Sequence, residues 1–97
     1  MEGPDEVIHQ STRLRISAIL NALGSAELME FSTLKALMGA SDGNMATHLT
    51  ALEKAGYIAV TKDFLGKKPR TRIALTTEGR RAFAKHVAYL KALLETE

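Results

Sequence analysis

Apolar residues recur along this chain at helical spacing in four stretches and alternate with polar ones in another, and glycine marks most of the breaks. Over residues 6–23, Ile16, Ile19, Leu20 and Leu23 fall on one side of a helix. Val7, Leu14 and Ala18 repeat at i, i+7 and i+11 on nearly the opposite side. A helix with two apolar sides has two partners, the core of its own domain and a second surface that another subunit can supply. Pro4 and Asp5 offer its start and Gly24-Ser25 its stop, leaving residues 1–5 as a disordered end. After a link over residues 26–30, Phe31 can start a strand of one or two residues. Ser32 then caps a short helix over residues 33–38, with Leu34, Leu37 and Met38 inward, and Gly39-Ala40 turns the chain into a longer helix.

That longer helix covers residues 41–56. Ser41 or Asp42 is suited to the N-cap, and Gly56 sits where a helix stops. Met45, Leu49 and Leu52 share one face; at about 100° per residue, Gly43, Thr47, Thr50, Ala51 and Lys54 point away from it, flanked by Asn44 and His48. The outward face is small, hydrogen-bonding and uncharged except at Lys54. Such side chains allow close approach to another surface and can pair with base edges in a DNA major groove. An ordinary surface helix of low charge has the same pattern.

Beyond Gly56 the period changes. Residues 57–61 carry β propensity, residues 63–69 read as a loop with Gly66, Lys67, Lys68 and Pro69, and residues 70–75 alternate as a half-buried strand does. Together residues 57–75 form a hairpin. Thr76 or Thr77 caps a last helix over residues 78–94, whose stripe of Phe83, Val87, Leu90 and Leu94 is widened by Ala82, His86, Tyr89 and Leu93. That is wider than packing on one small domain requires. The order helix, short helix, helix, hairpin, helix is a winged helix-turn-helix, mainly α with a small β-hairpin, in one domain over residues 6–95.

Composition narrows the chemistry. The 97 residues suffice for one core. Net charge is only +2, but residues 62, 67, 68, 70, 72, 80, 81 and 85 hold eight of the thirteen basic side chains, opposed in that span only by Asp63 and Glu78. A basic patch on a near-neutral chain fits a polyanion. Lys67, Lys68, Arg70 and Arg72 are therefore phosphate-contact candidates; a solvated hairpin tip that resists aggregation is the other reading. With no cysteine, disulfides and thiolate sites are excluded. His9, His48 and His86 are scattered and no metal-ligand spacing occurs, so no metal, no cofactor and no enzyme activity is expected. His48 can either contact DNA or sit half-buried between helices. His86 reads as a dimer-seam or core-edge residue. The acidic, polar first residues and the lack of a long apolar run point to a cytoplasmic protein with no membrane partner.

Residues 47–58, Thr-His-Leu-Thr-Ala-Leu-Glu-Lys-Ala-Gly-Tyr-Ile, resemble the recognition helix of ArsR- and MarR-like prokaryotic regulators. Arg13-Leu14-Arg15-Ile16 is similar to the ArsR-like pattern, and Pro69-Arg70-Thr71 with residues 75–80 (Leu-Thr-Thr-Glu-Gly-Arg) to the MarR-like one. The resemblance covers residues 7–95. It implies that residues 43–54 enter the major groove, that the wing over residues 63–70 follows the backbone or minor groove, and that two copies pair. The expected DNA contacts are then Asn44, Thr47, His48, Thr50, Lys54, Lys67, Lys68, Arg70 and Arg72. Helices 6–23 and 78–94 are the expected dimer seam, through Val7, Leu14, Ala18, His86, Leu90, Leu93 and Leu94. The function expected is a homodimeric repressor of transcription bound to double-stranded DNA. The alternatives are a winged-helix module for protein contacts and a ligand-sensing regulator with a pocket at the seam.

Overall fold

The computed structural model describes residues 3–25 and 27–95. Its elements are α1 (Ser11–Asn21), β1 (Met29–Glu30), α2 (Phe31–Met38), α3 (Asp42–Lys54), β2 (Ile58–Leu65), β3 (Lys68–Leu75) and α4 (Thr77–Leu94). The three strands form one antiparallel sheet in the order β1-β3-β2. Ile16 and Leu20 of α1, Leu34 and Met38 of α2, and Met45, Leu49 and Leu52 of α3 meet Ile58, Ile73 and Leu75 of the sheet in a single core. The periodic apolar positions of the first three helices thus close on one another and on the inner face of the hairpin.

Local chemistry sets the boundaries. α1 starts at Ser11, five residues later than the spacing suggests, because two separate caps compete there. The Asp5 carboxylate accepts the backbone N–H groups of Val7 and Ile8 (2.9 and 3.0 Å) and closes its own turn. Gln10 then caps α1, its side chain accepting the N–H of Arg13. Asp5 is thereby fastened rather than frayed; the part of that expectation that concerns Met1 and Glu2 lies outside the described residues, as does Ala26 of the link. The intervening turn drives Ile8 fully into the interior. Val7 packs on the core as well, so it does not share an outward face with Leu14 and Ala18.

The early strand forms just before Phe31, at Met29–Glu30, opposite Ile73 and Arg72. α2 begins at Phe31 with Glu30 as N-cap and no side-chain cap; Ser32 is inside the helix. Leu34 and Met38 point inward, whereas Leu37 is 56% exposed. α3 is capped by Ser41, which accepts the Asn44 N–H. It closes with the Gly56 N–H on the Glu53 carbonyl and the Tyr57 N–H on Leu52, the Schellman pattern.

The hairpin is longer and stiffer than expected. Residues 63–65 and 68–69, read as loop, are paired strand, with Asp63 opposite Arg70, Phe64 opposite Pro69 and Leu65 opposite Lys68. Only Gly66 and Lys67 turn the chain. Gly66 has φ 64° and Lys67 needs no positive φ, which is the pattern of a two-residue turn led by glycine.

α4 runs as expected from a Thr76 cap, but its inward stripe differs. Gly79, Ala82 and His86 are the buried positions. Phe83, Val87 and Leu90 are half-buried, and Leu93 and Leu94 are 54% and 83% exposed. Bulk does not predict the inward side because the start of α4 approaches the sheet so closely that Gly79 has no room for a side chain.

Candidate nucleic-acid interface

α2, the Gly39 turn and α3 form a helix-turn-helix, and Lys35 at the end of α2 is paired with Asp42 at the start of α3 (2.6 Å). Met45, Leu49 and Leu52 anchor α3 in the core, which leaves Gly43, Asn44, Ala46, Thr47, Thr50 and Lys54 exposed and His48 partly so. The Thr47 hydroxyl donates to the Gly43 carbonyl (3.0 Å), which orients its methyl and oxygen on that surface.

Side chains of paired strands alternate between two faces. Ile58, Val60, Lys62 and Phe64, with their partners Leu75, Ile73, Thr71 and Pro69, share the face that meets α3. An open cleft of about 560 Å³ lies where α3 meets that face, bounded by Thr50 and Glu53 on one side and Val60, Lys62, Thr71 and Ile73 on the other. Lys62 thus joins the exposed surface of α3. It belongs to the basic run of the sequence but is not among the DNA contacts expected from it.

The opposite face carries Asp63, Arg70 and Arg72, which pair with one another, while the Arg72 Nε is buried with no hydrogen-bond partner among the described residues. Asp63 accepts two hydrogen bonds from Arg70 (2.9 Å each) and one from Arg72 (2.8 Å). The hydrogen bond from Arg70 chiefly, opposed by burial and aided by the charge of both arginines, holds the Asp63 carboxyl at about 2. Glu30 adds to the field at Arg70. Arg70 and Arg72, expected as phosphate contacts, thus lie on the face away from α3 and share the single Asp63 carboxylate. Lys67 and Lys68 are exposed at the tip. Arg80, in the same basic run, donates to the carbonyls of Asn21 and Leu23 (3.3 and 3.2 Å) and so ties α4 to the end of α1.

His86 is 1% exposed within the single chain, so it belongs to the interior and not to a seam. Its Nδ1 accepts the Asp5 N–H (3.2 Å), and its ring stands edge-on to His9 and stacks on Tyr89. Its Nε2 is buried with no hydrogen-bond partner among the described residues. Tyr57 donates to the other Asp5 oxygen (2.7 Å), and that bond, with burial, pushes the phenol up to about 12. Burial disfavours the Asp5 carboxylate, but Tyr57 and the N–H groups of Ile8 and Val7 outweigh it and hold its pKa below the usual value.

Burial first, then the charge of His9, lowers the pKa of His86 below the ordinary 6.5, with Asp5 only partly opposing. The unfolded chain therefore takes up this proton before the folded one. Stability is complete above about pH 6.5 and is lost as the pH falls below it. The melting temperature should drop between about pH 7.5 and about pH 5.5, and His86→Asn, which keeps an acceptor and cannot be protonated, should make that drop shallower. Equal slopes in thermal melts of the two proteins would disprove the role of His86.

No group of three or more His, Asp or Glu side chains is placed to hold a metal among the described residues, and no helix there is long and apolar enough to cross a membrane. A helix-turn-helix set beside a paired basic hairpin defines a winged helix. The chain belongs to the family of winged helix DNA-binding domains, whose pattern it matches over residues 12–94. It is 32% identical over 82 residues to an uncharacterized protein of Methanocaldococcus jannaschii, covering 84% of this chain and 86% of that one. Among solved structures it is similar to a transcriptional regulator homologue from Pyrococcus horikoshii OT3, with a TM-score of 0.84 and 23% identity over 94% of this chain and 87% of that chain. NadR, solved in complex with 4-hydroxyphenylacetate, gives a TM-score of 0.71 and 20% identity over 92% and 63% of the two chains. A MarR-family protein from Porphyromonas gingivalis W83 gives 0.70 and 18% over the whole of both. The fold is thus the one these structures share, and the chain is a winged helix DNA-binding domain.

Proposed function

We propose that this chain is a homodimeric repressor of transcription in which α3 reads the major groove of double-stranded DNA and the hairpin tip holds the phosphates. The observation that carries the reading is the hydrogen-bonding surface of α3, charged at Glu53 and Lys54 toward its end, continuous through the cleft with Lys62 and leading to the exposed Lys67 and Lys68 at the tip. Asn44, Thr47, Thr50 and Lys54 are the side chains available to base edges and adjoining phosphates, with His48 at their margin. Repression follows if a bound dimer occupies a promoter. Leu14 and Ala18 of α1 with Leu90, Leu93 and Leu94 of α4 are the residues proposed for the seam, now without Val7 and His86.

Duplex binding measured against salt tests this reading. Each phosphate contact adds about 0.9 to the slope of log affinity against log salt, so Lys67→Ala with Lys68→Ala should flatten the slope by roughly 1.8 and weaken all sequences alike. No shift of any duplex by the parent protein would reject the reading; an unchanged slope in the double variant would reject the phosphate role of the tip.

Ligand sensing is a second reading. It is favoured by an open cleft of about 400 Å³ between residues 3–5, Tyr57 and the Glu78–Arg81–Lys85 side of α4. NadR was solved with an aromatic carboxylate, so 4-hydroxyphenylacetate is a suitable first probe. A rise in melting temperature with the compound supports this reading, and its absence counts against that ligand class.

A further inference from the structure

Phe64 is 68% exposed and Leu65 63% exposed, at the end of a strand and among lysines. Large apolar side chains in such a place need a reason, because solvation alone would favour polar ones. The two differ in setting. Leu65 lies on the face of Asp63, while Phe64 pairs across the hairpin with Pro69 on the face that meets α3. Going outward along that face, the chain shows Val60 and Ile73, then Lys62 and Thr71, then Phe64 and Pro69. Lys62 on the same face and Lys67 in the turn flank the apolar pair with positive charge, whereas Lys68 and both nearby arginines lie on the opposite face, the arginines paired with Asp63.

From Val60 at the floor of the cleft to Phe64 is about 14 Å at a strand rise of 3.4 Å per residue, to which the length of the phenylalanine side chain is added. The sum is about half of the ~34 Å helical repeat of DNA, the distance from a major groove to the next minor groove. With α3 in the major groove, Phe64 and Pro69 reach the neighbouring minor groove. Phenylalanine and proline are among the residues that act there as wedges, partly unstacking a base step and kinking the duplex. A wing led by arginine would instead read the narrow groove by charge, and here the arginines lie on the opposite face beside Asp63.

We propose that the Phe64–Pro69 pair is a minor-groove wedge with which the wing bends its operator at a deformable base step. The proposal rests on the DNA-binding reading given above. Its occupant is duplex DNA, argued from the flanking lysines and from continuity with the surface of α3. Pyrimidine–purine steps unstack most easily, so such a step is expected in the site about half a turn from the bases that α3 reads.

The test uses the full chain and a duplex selected by the parent protein from a random pool. 2-Aminopurine is placed at successive steps, and a donor–acceptor dye pair at the ends reports bending. The parent should raise 2-aminopurine fluorescence at one step beside the α3 half-site and shorten the end-to-end distance. Phe64→Ala should abolish both signals and weaken binding about ten-fold, within the range that aromatic stacking on a base contributes. Its salt slope should stay that of the parent. Phe64→Leu, still apolar, should keep part of the bend. Because Phe64 is exposed, both variants should melt as the parent does. The wedge is overturned if the parent binds with no unstacking, or if Phe64→Ala keeps the fluorescence and the bend, whatever its affinity. A parent that binds no duplex overturns the DNA-binding reading and the wedge with it, so the two failures are distinct.

Discussion

Gly79→Ala should lower the melting temperature by roughly 10–20 °C, corresponding to about 2–3 kcal/mol in a domain of this size. A Cβ at this position would stand 2.0 Å from the Tyr57 carbonyl oxygen, 2.9 Å from its carbon and 3.1 Å from Leu75 Cδ2. The obstacle is backbone, and it is pinned. The Tyr57 carbonyl accepts the Thr76 N–H (3.0 Å), Thr76 Oγ1 donates to the Gly56 carbonyl (2.6 Å), and the same oxygen accepts the Gly79 N–H (2.9 Å). Making room for a methyl group means lifting the start of α4 off this junction and losing its cap. Gly43→Ala in α3 is the control: nothing lies within 4 Å of its added Cβ. In a helix that change should stabilise by up to about 1 kcal/mol. Thermal melts of opposite sign for two chemically identical substitutions are the expected result. A Gly79→Ala protein that melts at or above the parent temperature would show that α4 does not approach the sheet this closely.

Leu90→Glu combined with Leu94→Glu should turn the proposed dimer into a monomer. The inward side of α4 is met by Gly79, Ala82 and His86, which leaves Leu90 half-buried and Leu93 and Leu94 largely in solvent. Burying a leucine fully contributes about 1.5–3 kcal/mol, and with Leu90 already half-buried the four side chains across a two-fold seam are worth roughly 4 kcal/mol or more, about three decades in dimer affinity. A two-fold seam doubles the recognition helices, so operator affinity should fall with the dimer. Sedimentation at micromolar concentration checks this directly. A parent protein that is already monomeric removes the seam, and a double variant that stays dimeric moves it elsewhere.

The hydrophobic pattern was enough to place all four helices, the helix-turn-helix and the inward Met45–Leu49–Leu52 stripe, because each repeats at one period over two turns or more. The exposed polar residues of α3 followed from the same geometry. Three features did not follow, each for a physical reason. The start of α1 depends on Asp5 and Gln10 acting as rival caps, and glutamine is an uncommon N-cap. The inward side of α4 depends on a backbone approach, which favours Gly79 and Ala82 over the bulky stripe beside them. The pairing of Asp63 with Arg70 depends on strand register, which cannot be assigned until the turn is known to be Gly66-Lys67. Glycine followed by one residue between two β-prone segments was the available signal for that turn. Using it would have set Asp63 opposite Arg70 and shown that half of the candidate basic cluster shares a face with an acidic partner. It would also have drawn out Phe64, which in a loop has no face and on a paired strand has one.

The eight-residue pairing of β2 with β3 around a two-residue turn carries a consequence for the thermodynamics of binding. A long mobile wing loses conformational entropy when it is ordered on DNA, at about 1–2 kcal/mol for each backbone residue fixed. A wing already held by paired strands has given up that freedom during folding. Little adaptation is then left to the protein, and fitting the two surfaces together falls to the duplex. Sequences of equal base contacts but different stiffness should separate by their deformation energy.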